Sequence, residues 1–197
     1  ARCDIKEIFN LGFEEIKVAS YDCGSYQMIR ELIPLFKKIF VSTGASFDQE
    51  VIKTNELLKN NNINYELLHC VTIYPTPLES MNLNRILWLK EFCEFVGFSD
   101  HSKVQQNGVL AAKAATIFGV NSIERHFTDL APDKTKDGPV SINSKQLMEA
   151  NGKKFSLLKA TKLFCVKPFL SIRVDNLIRR VLKKNYDPSS GYSVHPN

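Results

Sequence analysis

Five short β-rich runs recur along this chain with helical sequence between them, and their starts lie 23 to 30 residues apart, at residues 15–20, 38–42, 64–70, 94–99 and 120–126. That spacing is the length of a strand–helix unit. Between the runs, residues 47–58 carry apolar side chains at helical intervals behind Ser46, a suitable N-cap. The alanine-rich segment 107–118 reads as a second helix that stops at Gly119. Consecutive units of this kind imply a parallel sheet covered by helices. An open doubly wound sheet and a closed (β/α)8 barrel both satisfy that pattern. No G-x-G-x-x-G turn follows any strand, which weighs against a dinucleotide-binding sheet.

Composition narrows the class further. A chain of 197 residues that is 44% hydrophobic can bury one sizeable core. No apolar run approaches the roughly 18 residues that cross a bilayer, so no membrane partner is expected. Five cysteines, an odd number without metal-type spacing, suit a reduced, cytoplasmic protein. The net charge of +5 is uneven: residues 151–197 hold ten Lys/Arg against two Asp, whereas residues 1–150 carry a small acidic excess. A basic tail can attract nucleic acid, but a solvated surface helix is the simpler expectation for it.

Each run ends, at its C-terminal edge, in groups able to do chemistry: Lys17 and Ser20, Ser42 and Thr43, His69, Ser99 and His101, Glu124 and His126. In α/β folds that edge is where ligands bind. Residues i and i+2 of a strand share a face, so Ser99 points with His101 and Glu124 with His126. On neighbouring strands about 4.8 Å apart, the two imidazoles can converge on one divalent cation and leave positions for water and substrate oxygen, the pattern of a Lewis-acid site. Two ordinary polar histidines at a sheet rim would look the same in sequence. Lys17 and Ser20, the Ser42-Thr43-Gly44 turn and Ser99 supply a charge, hydroxyls and a close backbone approach suited to phosphate or carboxylate. Tyr74-Pro75-Thr76-Pro77 forms a stiff loop that can wall a pocket. The polar segment 133–139 is either a lid offering Asp137 or Lys136 to a sugar hydroxyl or a solvated turn. Cys70 and Cys93 read as small core residues.

Taken in order, Lys17-Val18-Ala19-Ser20, Ser42-Thr43-Gly44, His69-Cys70, Tyr74-Pro75-Thr76-Pro77, Phe98-Ser99-Asp100-His101 and Glu124-Arg125-His126-Phe127-Thr128 resemble the sialic acid synthase family, meaning N-acetylneuraminate synthase and its legionaminic and pseudaminic relatives. The resemblance implies a (β/α)8 barrel, a small antifreeze-like domain after it, and a dimer. It implies condensation of phosphoenolpyruvate with an N-acyl hexosamine such as N-acetylmannosamine to a nine-carbon 2-keto sugar acid. C3 of phosphoenolpyruvate attacks the sugar aldehyde, water adds at C2, and phosphate leaves by C–O cleavage. By the same resemblance His101 and His126 hold Mn2+ or Mg2+. Lys17, Ser20, Ser42 and Ser99 grip phosphoenolpyruvate; Thr72, Tyr74 and Asp137 complete the substrate-binding set; Asp22 and Glu124 are the catalytic carboxylates.

Three positions depart from the family pattern. Asp22 stands where many members have glutamate, Thr72 where some have asparagine, and Asp137 precedes a Gly-Pro pair instead of following it. The likeness begins at the fourth barrel strand, so the expectation is a partial TIM barrel, strands 4 to 8, over residues 1–150, then a basic C-terminal segment over 151–197. Five units cannot close a barrel. A second copy or a complementing chain is therefore expected, with little synthase activity from the chain alone. The other readings are a different metal-dependent TIM-barrel aldolase and a degenerate, non-catalytic barrel half.

Overall fold

The computed structural model describes residues 5–151; the expected basic segment lies outside the described residues. After α1 (Ile5–Asn10), strands β1 (Glu15–Val18), β2 (Lys38–Ser42), β3 (Asn64–His69), β4 (Val96–Asp100) and β5 (Ile123–Arg125) alternate with α2 (Tyr26–Leu32), α3 (Asp48–Asn60), α4 (Asn84–Lys90), α5 (Val104–Asn107) and α6 (Leu110–Ile117), and α7 (Ser144–Asn151) follows. The strands pair in the order β1-β2-β3-β4-β5, every neighbour parallel. The sheet is a curled half-barrel: Lys17 on β1 and Glu124 on β5, at opposite ends of the strand order, form an ion pair at 3.0 Å across the concave face.

Strand alternation divides the side chains between two environments. Ile39 and Val41 of β2, Leu67 of β3, and Val96 and Phe98 of β4 are buried in one core with Ile29 and Leu32 of α2, Val51 and Leu58 of α3, Ile86 and Leu89 of α4, and Ala111 and Ala115 of α6. The intervening residues carry the polar groups. Glu66, 1% exposed, accepts hydrogen bonds from Lys38 at 3.0 Å and from Ser122 at 2.5 Å.

Six strand boundaries differ from those expected, two of them, the ends of β3 and β4, by a single residue, and the other four have a local reason. The first strand ends at Val18, because Asp22 N–H bonds the Ala19 carbonyl and closes a 3-10 turn over Ser20–Asp22. The fourth runs two residues later than expected at its start, with Phe95 lending its carbonyl to Leu67 N–H. The fifth starts at Ile123 because the Asn121 side chain takes Val96 N–H at 2.9 Å, and it ends at Arg125 because the His126 carbonyl bonds Ile142 N–H at 2.8 Å. The helix expected over 107–118 starts later, as α6: Asn107 is the last residue of α5, and Gly108, whose φ of +54° lies outside helical geometry, parts the two. Ser46 is not the cap of α3. That position belongs to Phe47, whose N–H is accepted by Glu50 Oε2 at 2.8 Å, while Ser46 Oγ donates to the Ser20 carbonyl.

Candidate functional site

The C-terminal ends of the neighbouring strands β4 and β5 bring two of the sequence-predicted histidines to one rim. His101 follows β4 and His126 follows β5, and their ring centroids are 5.3 Å apart at an interplanar angle of 71°. Ser99 Oγ lies 3.4 Å from His101 Nε2, as the shared strand face requires. His101 Nδ1 faces the Val71 carbonyl at 3.3 Å. A carbonyl only accepts, so Nδ1 carries the proton and Nε2 presents its lone pair. That lone pair accepts the Tyr74 hydroxyl at 2.8 Å. Burial, helped by the neighbouring His126, lowers the His101 pKa to about 4, so the ring is neutral at pH 7. Burial raises the Tyr74 phenol to about 12, which keeps it a donor.

Tyr74 walls the site as its stiff loop suggests, with its ring 4.1 Å from that of His101 and 5.9 Å from that of His126. The loop is fastened to the same rim by Thr76 N–H donating to the His101 carbonyl at 2.8 Å. Asp137 reaches His126 from the segment beyond β5, with Oδ2 3.5 Å from Nδ1.

Ser20 and Gly44, from the group expected to hold an anion, border Cys70. Ser20 Oγ lies 3.0 Å from Cys70 Sγ, and Ser42 Oγ is buried with no hydrogen-bond partner among the described residues. Gly44 leaves room here: a Cβ on it would stand 2.6 Å from Cys70 Sγ and 2.8 Å from Thr72 Oγ1. Burial raises the Cys70 pKa, so the thiol is inert packing, as is the buried Cys93. Asp22 sits on the turn after β1 and accepts from Ser25 Oγ at 3.2 Å.

His69, one of the three strand-end histidines, does not join the other two. It is 1% exposed, stacks on Phe98 and donates from Nε2 to the Met81 carbonyl at 2.8 Å. It lines a cavity of about 280 Å³ with Thr43, Gly44, Cys70, Asn82 and Arg85. Sequence reading missed two features. The Lys17–Glu124 pair depends on the curl of the sheet, which no local pattern encodes. Arg125 and Asp100 form a buried ion pair behind the histidines, and the signal for it was present: both alternate out of the face that carries His101 and His126, with opposite charges.

The donor set fits a cation held by two imidazoles. His101 Nε2, whose lone pair accepts the Tyr74 hydroxyl here, would exchange that donor for the cation; His126 lies across from it, and Glu124 Oε2 is buried with no hydrogen-bond partner among the described residues. Among those residues no group of three or more His, Cys, Asp or Glu is gathered to hold a metal. The remaining positions would fall to water or substrate, as in an open Lewis-acid site. No helix of the described residues is long and apolar enough to cross a membrane.

The NeuB family model matches residues 2–161. The chain is 35% identical over 129 residues to a pseudaminic acid synthase of Campylobacter jejuni, an alignment that covers 64% of this chain and 36% of that protein. It is 34% identical over 133 residues to an N,N'-diacetyllegionaminic acid synthase of the same organism, covering 66% and 38%. The chain thus spans little more than a third of these relatives' length. Its fold matches that of an N-acetylneuraminic acid (sialic acid) synthetase from Leptospira borgpetersenii, crystallised with citrate, with a TM-score of 0.69 at 24% identity over 90% of this chain and 64% of the other.

Proposed function

The chain belongs to the NeuB family, and on that premise we propose that it carries the strand-end part of a site condensing phosphoenolpyruvate with an N-acyl hexosamine to a nine-carbon 2-keto sugar acid. The observation that carries the proposal is the meeting of His101 and His126, 5.3 Å apart, on the concave face that also holds Lys17 and Ser99. Lys17 supplies a positive charge for phosphate, and the Ser20, Ser42 and Ser99 hydroxyls donate to the phosphate and carboxylate oxygens. Thr72 and Tyr74 line the sugar side, and Asp137 offers it an acceptor. A divalent cation, Mn2+ or Mg2+, held by His101 and His126 would polarise the sugar aldehyde and stabilise the negative charge that develops on its oxygen.

The new bond joins C3 of phosphoenolpyruvate to the aldehyde carbon, whose oxygen takes up one proton. Water bonding at C2 gives up one proton; as the C2–O bond to phosphate breaks, the hydroxyl left at C2 gives its proton to the departing phosphate and becomes the keto oxygen. Glu124, beside the histidines, and Asp22, on the turn after β1, are the carboxyl groups assigned to these transfers. Because the chain spans only part of its relatives, the complete reaction is proposed for an assembly in which a second copy or a complementing chain supplies the other barrel strands.

The test is thermal unfolding of the purified chain with and without Mn2+ and phosphoenolpyruvate, since ligands of the native state raise its midpoint. Each ligand should raise it. His101→Ala or His126→Ala should remove the Mn2+ effect, and Lys17→Met should remove the phosphoenolpyruvate effect. A Mn2+ shift that survives both histidine changes would overturn the assignment of the cation site. Appreciable nine-carbon acid formation by the chain alone would overturn the need for further strands.

A further inference from the structure

We propose that Arg125, together with Asp100, is a positioning device that fixes the strand register on which the meeting of His101 and His126 depends. This rests on the site reading above but not on the identity of the sugar. Asp100 and Arg125 are cross-strand partners at the end of the β4–β5 ladder, each one residue before an imidazole. They form an ion pair whose side chains are 0% and 5% exposed. Arg125 also reaches past it: Nη1 donates to Ser102 Oγ at 2.9 Å and Nη2 to the Ser102 carbonyl at 2.6 Å. Asp100 Oδ1 in turn accepts Ser102 N–H at 2.8 Å. One guanidinium thereby clasps the residues on both sides of His101.

The reason such a clasp is needed lies in β5 itself. The strand has three residues, Ile123, Glu124 and Arg125, and no strand beyond it among the described residues. Its single apolar side chain, Ile123, is 39% exposed. Register is specified mainly by burying one face of a strand, and a slip of one residue turns every side chain over. A strand this short and this exposed has little apolar burial to specify register. A one-residue slip would carry His126 to the helix-facing side, away from His101. A buried ion pair gains little stability over an apolar pair of similar size, but it is satisfied in one register alone. His101 has a second anchor through Thr76 N–H, and His126 has one through Ile142 N–H. Neither of those ties β5 to β4. The Arg125 clasp does.

The experiment uses the full chain and the paired replacement Asp100→Leu/Arg125→Met, which leaves no orphaned charge and keeps a variant that folds, with Arg125→Lys as the conservative comparison. Two readouts are taken. The first, independent of any metal, is the nuclear Overhauser contact between the ring protons of His101 and His126 in metal-free protein. The second is Mn2+ affinity by electron paramagnetic resonance. The contact should be present in the parent chain and lost or weakened in the paired variant. Mn2+ affinity should fall about tenfold or more, the scale seen when outer-shell support of a metal ligand is removed. Arg125→Lys should fall between the two. A folded paired variant that keeps the ring contact and parental Mn2+ affinity would overturn the proposal. If the parent chain shows the contact but binds no Mn2+, the cation reading fails, and the ring contact in the variant still decides the role of Arg125.

Discussion

His69 is held neutral by its surroundings, and that has a consequence for folding. Burial lowers its pKa to about 4, with the nearby Arg85 charge acting in the same direction and the bond to the Met81 carbonyl opposing it. In the unfolded chain the ring titrates near 6.5. Between those values the unfolded state binds a proton that the folded state refuses. Stability is therefore full above about pH 6.5 and falls as the pH drops toward 4, by up to about 3 kcal/mol from this residue. Urea unfolding of His69→Gln between pH 4 and 7.5 should show lower stability at pH 7 and a shallower slope below 6.5. Gly44 makes a second case. The added methyl of Gly44→Ala meets the Cys70 carbonyl at 2.8 Å as well as the thiol and Thr72. Backbone yields poorly, so the change should cost about 1–3 kcal/mol in the same measurement. The sequence made the close approach at Ser42-Thr43-Gly44 legible, because glycine after a strand is a signature of it. It did not separate His69 from His101 and His126, since all three stand at strand ends and a shift of one residue decides which face each joins.

At the scale of elements, α5 and α6 join through Gly108 with φ +54° and ψ −123°, a conformation that side-chain-bearing residues avoid. No atom lies within 4 Å of where its Cβ would stand, so the cost of a side chain there is purely conformational. Gly108→Ala should lower stability by about 1–3 kcal/mol. The same substitution at Gly24, which has ordinary φ and faces the flexible end of Glu50, should cost less; chemical denaturation of the two variants side by side checks the contrast. This also explains why the helical periodicity of 107–118 misled at its start: Val109, Ala112 and Ala115 all follow Gly108, and only a backbone angle separates them from Asn107, the last residue of α5. The strands were legible in number and order because each has its own β-rich run. Their ends were less so, because side chains such as Asn121 substitute for backbone in the ladder, and nothing in a periodic pattern announces that exchange.

At the scale of the whole molecule, the curl of the sheet couples its two outer strands through one pair of charges. Lys17 and Glu124 are each more than a third exposed, so their bridge adds little to stability, about 0–1 kcal/mol in the usual range for such pairs. Its effect falls on ligand binding instead. Lys17 is the cation proposed to meet phosphate, and in the ligand-free chain its charge is answered by Glu124 at 3.0 Å. An anion entering the cradle must compete with that carboxylate for the same ammonium. Removing the competitor while keeping the shape should therefore tighten anion binding. Glu124→Gln is expected to bind phosphoenolpyruvate up to about fivefold more tightly, the ratio that corresponds to a surface pair of about 1 kcal/mol. The gain should shrink as salt screens the original pair. Calorimetric titration at low and at physiological ionic strength measures both effects. Lys17→Met should bind weakly, and adding Glu124→Gln to it should restore nothing. A Glu124→Gln chain that binds phosphoenolpyruvate no better at low salt would mean that Lys17 does not face the anion. The anion would then have to be held without Lys17, by the hydroxyls beside Cys70, of which Ser20 Oγ lies 3.0 Å from the thiol.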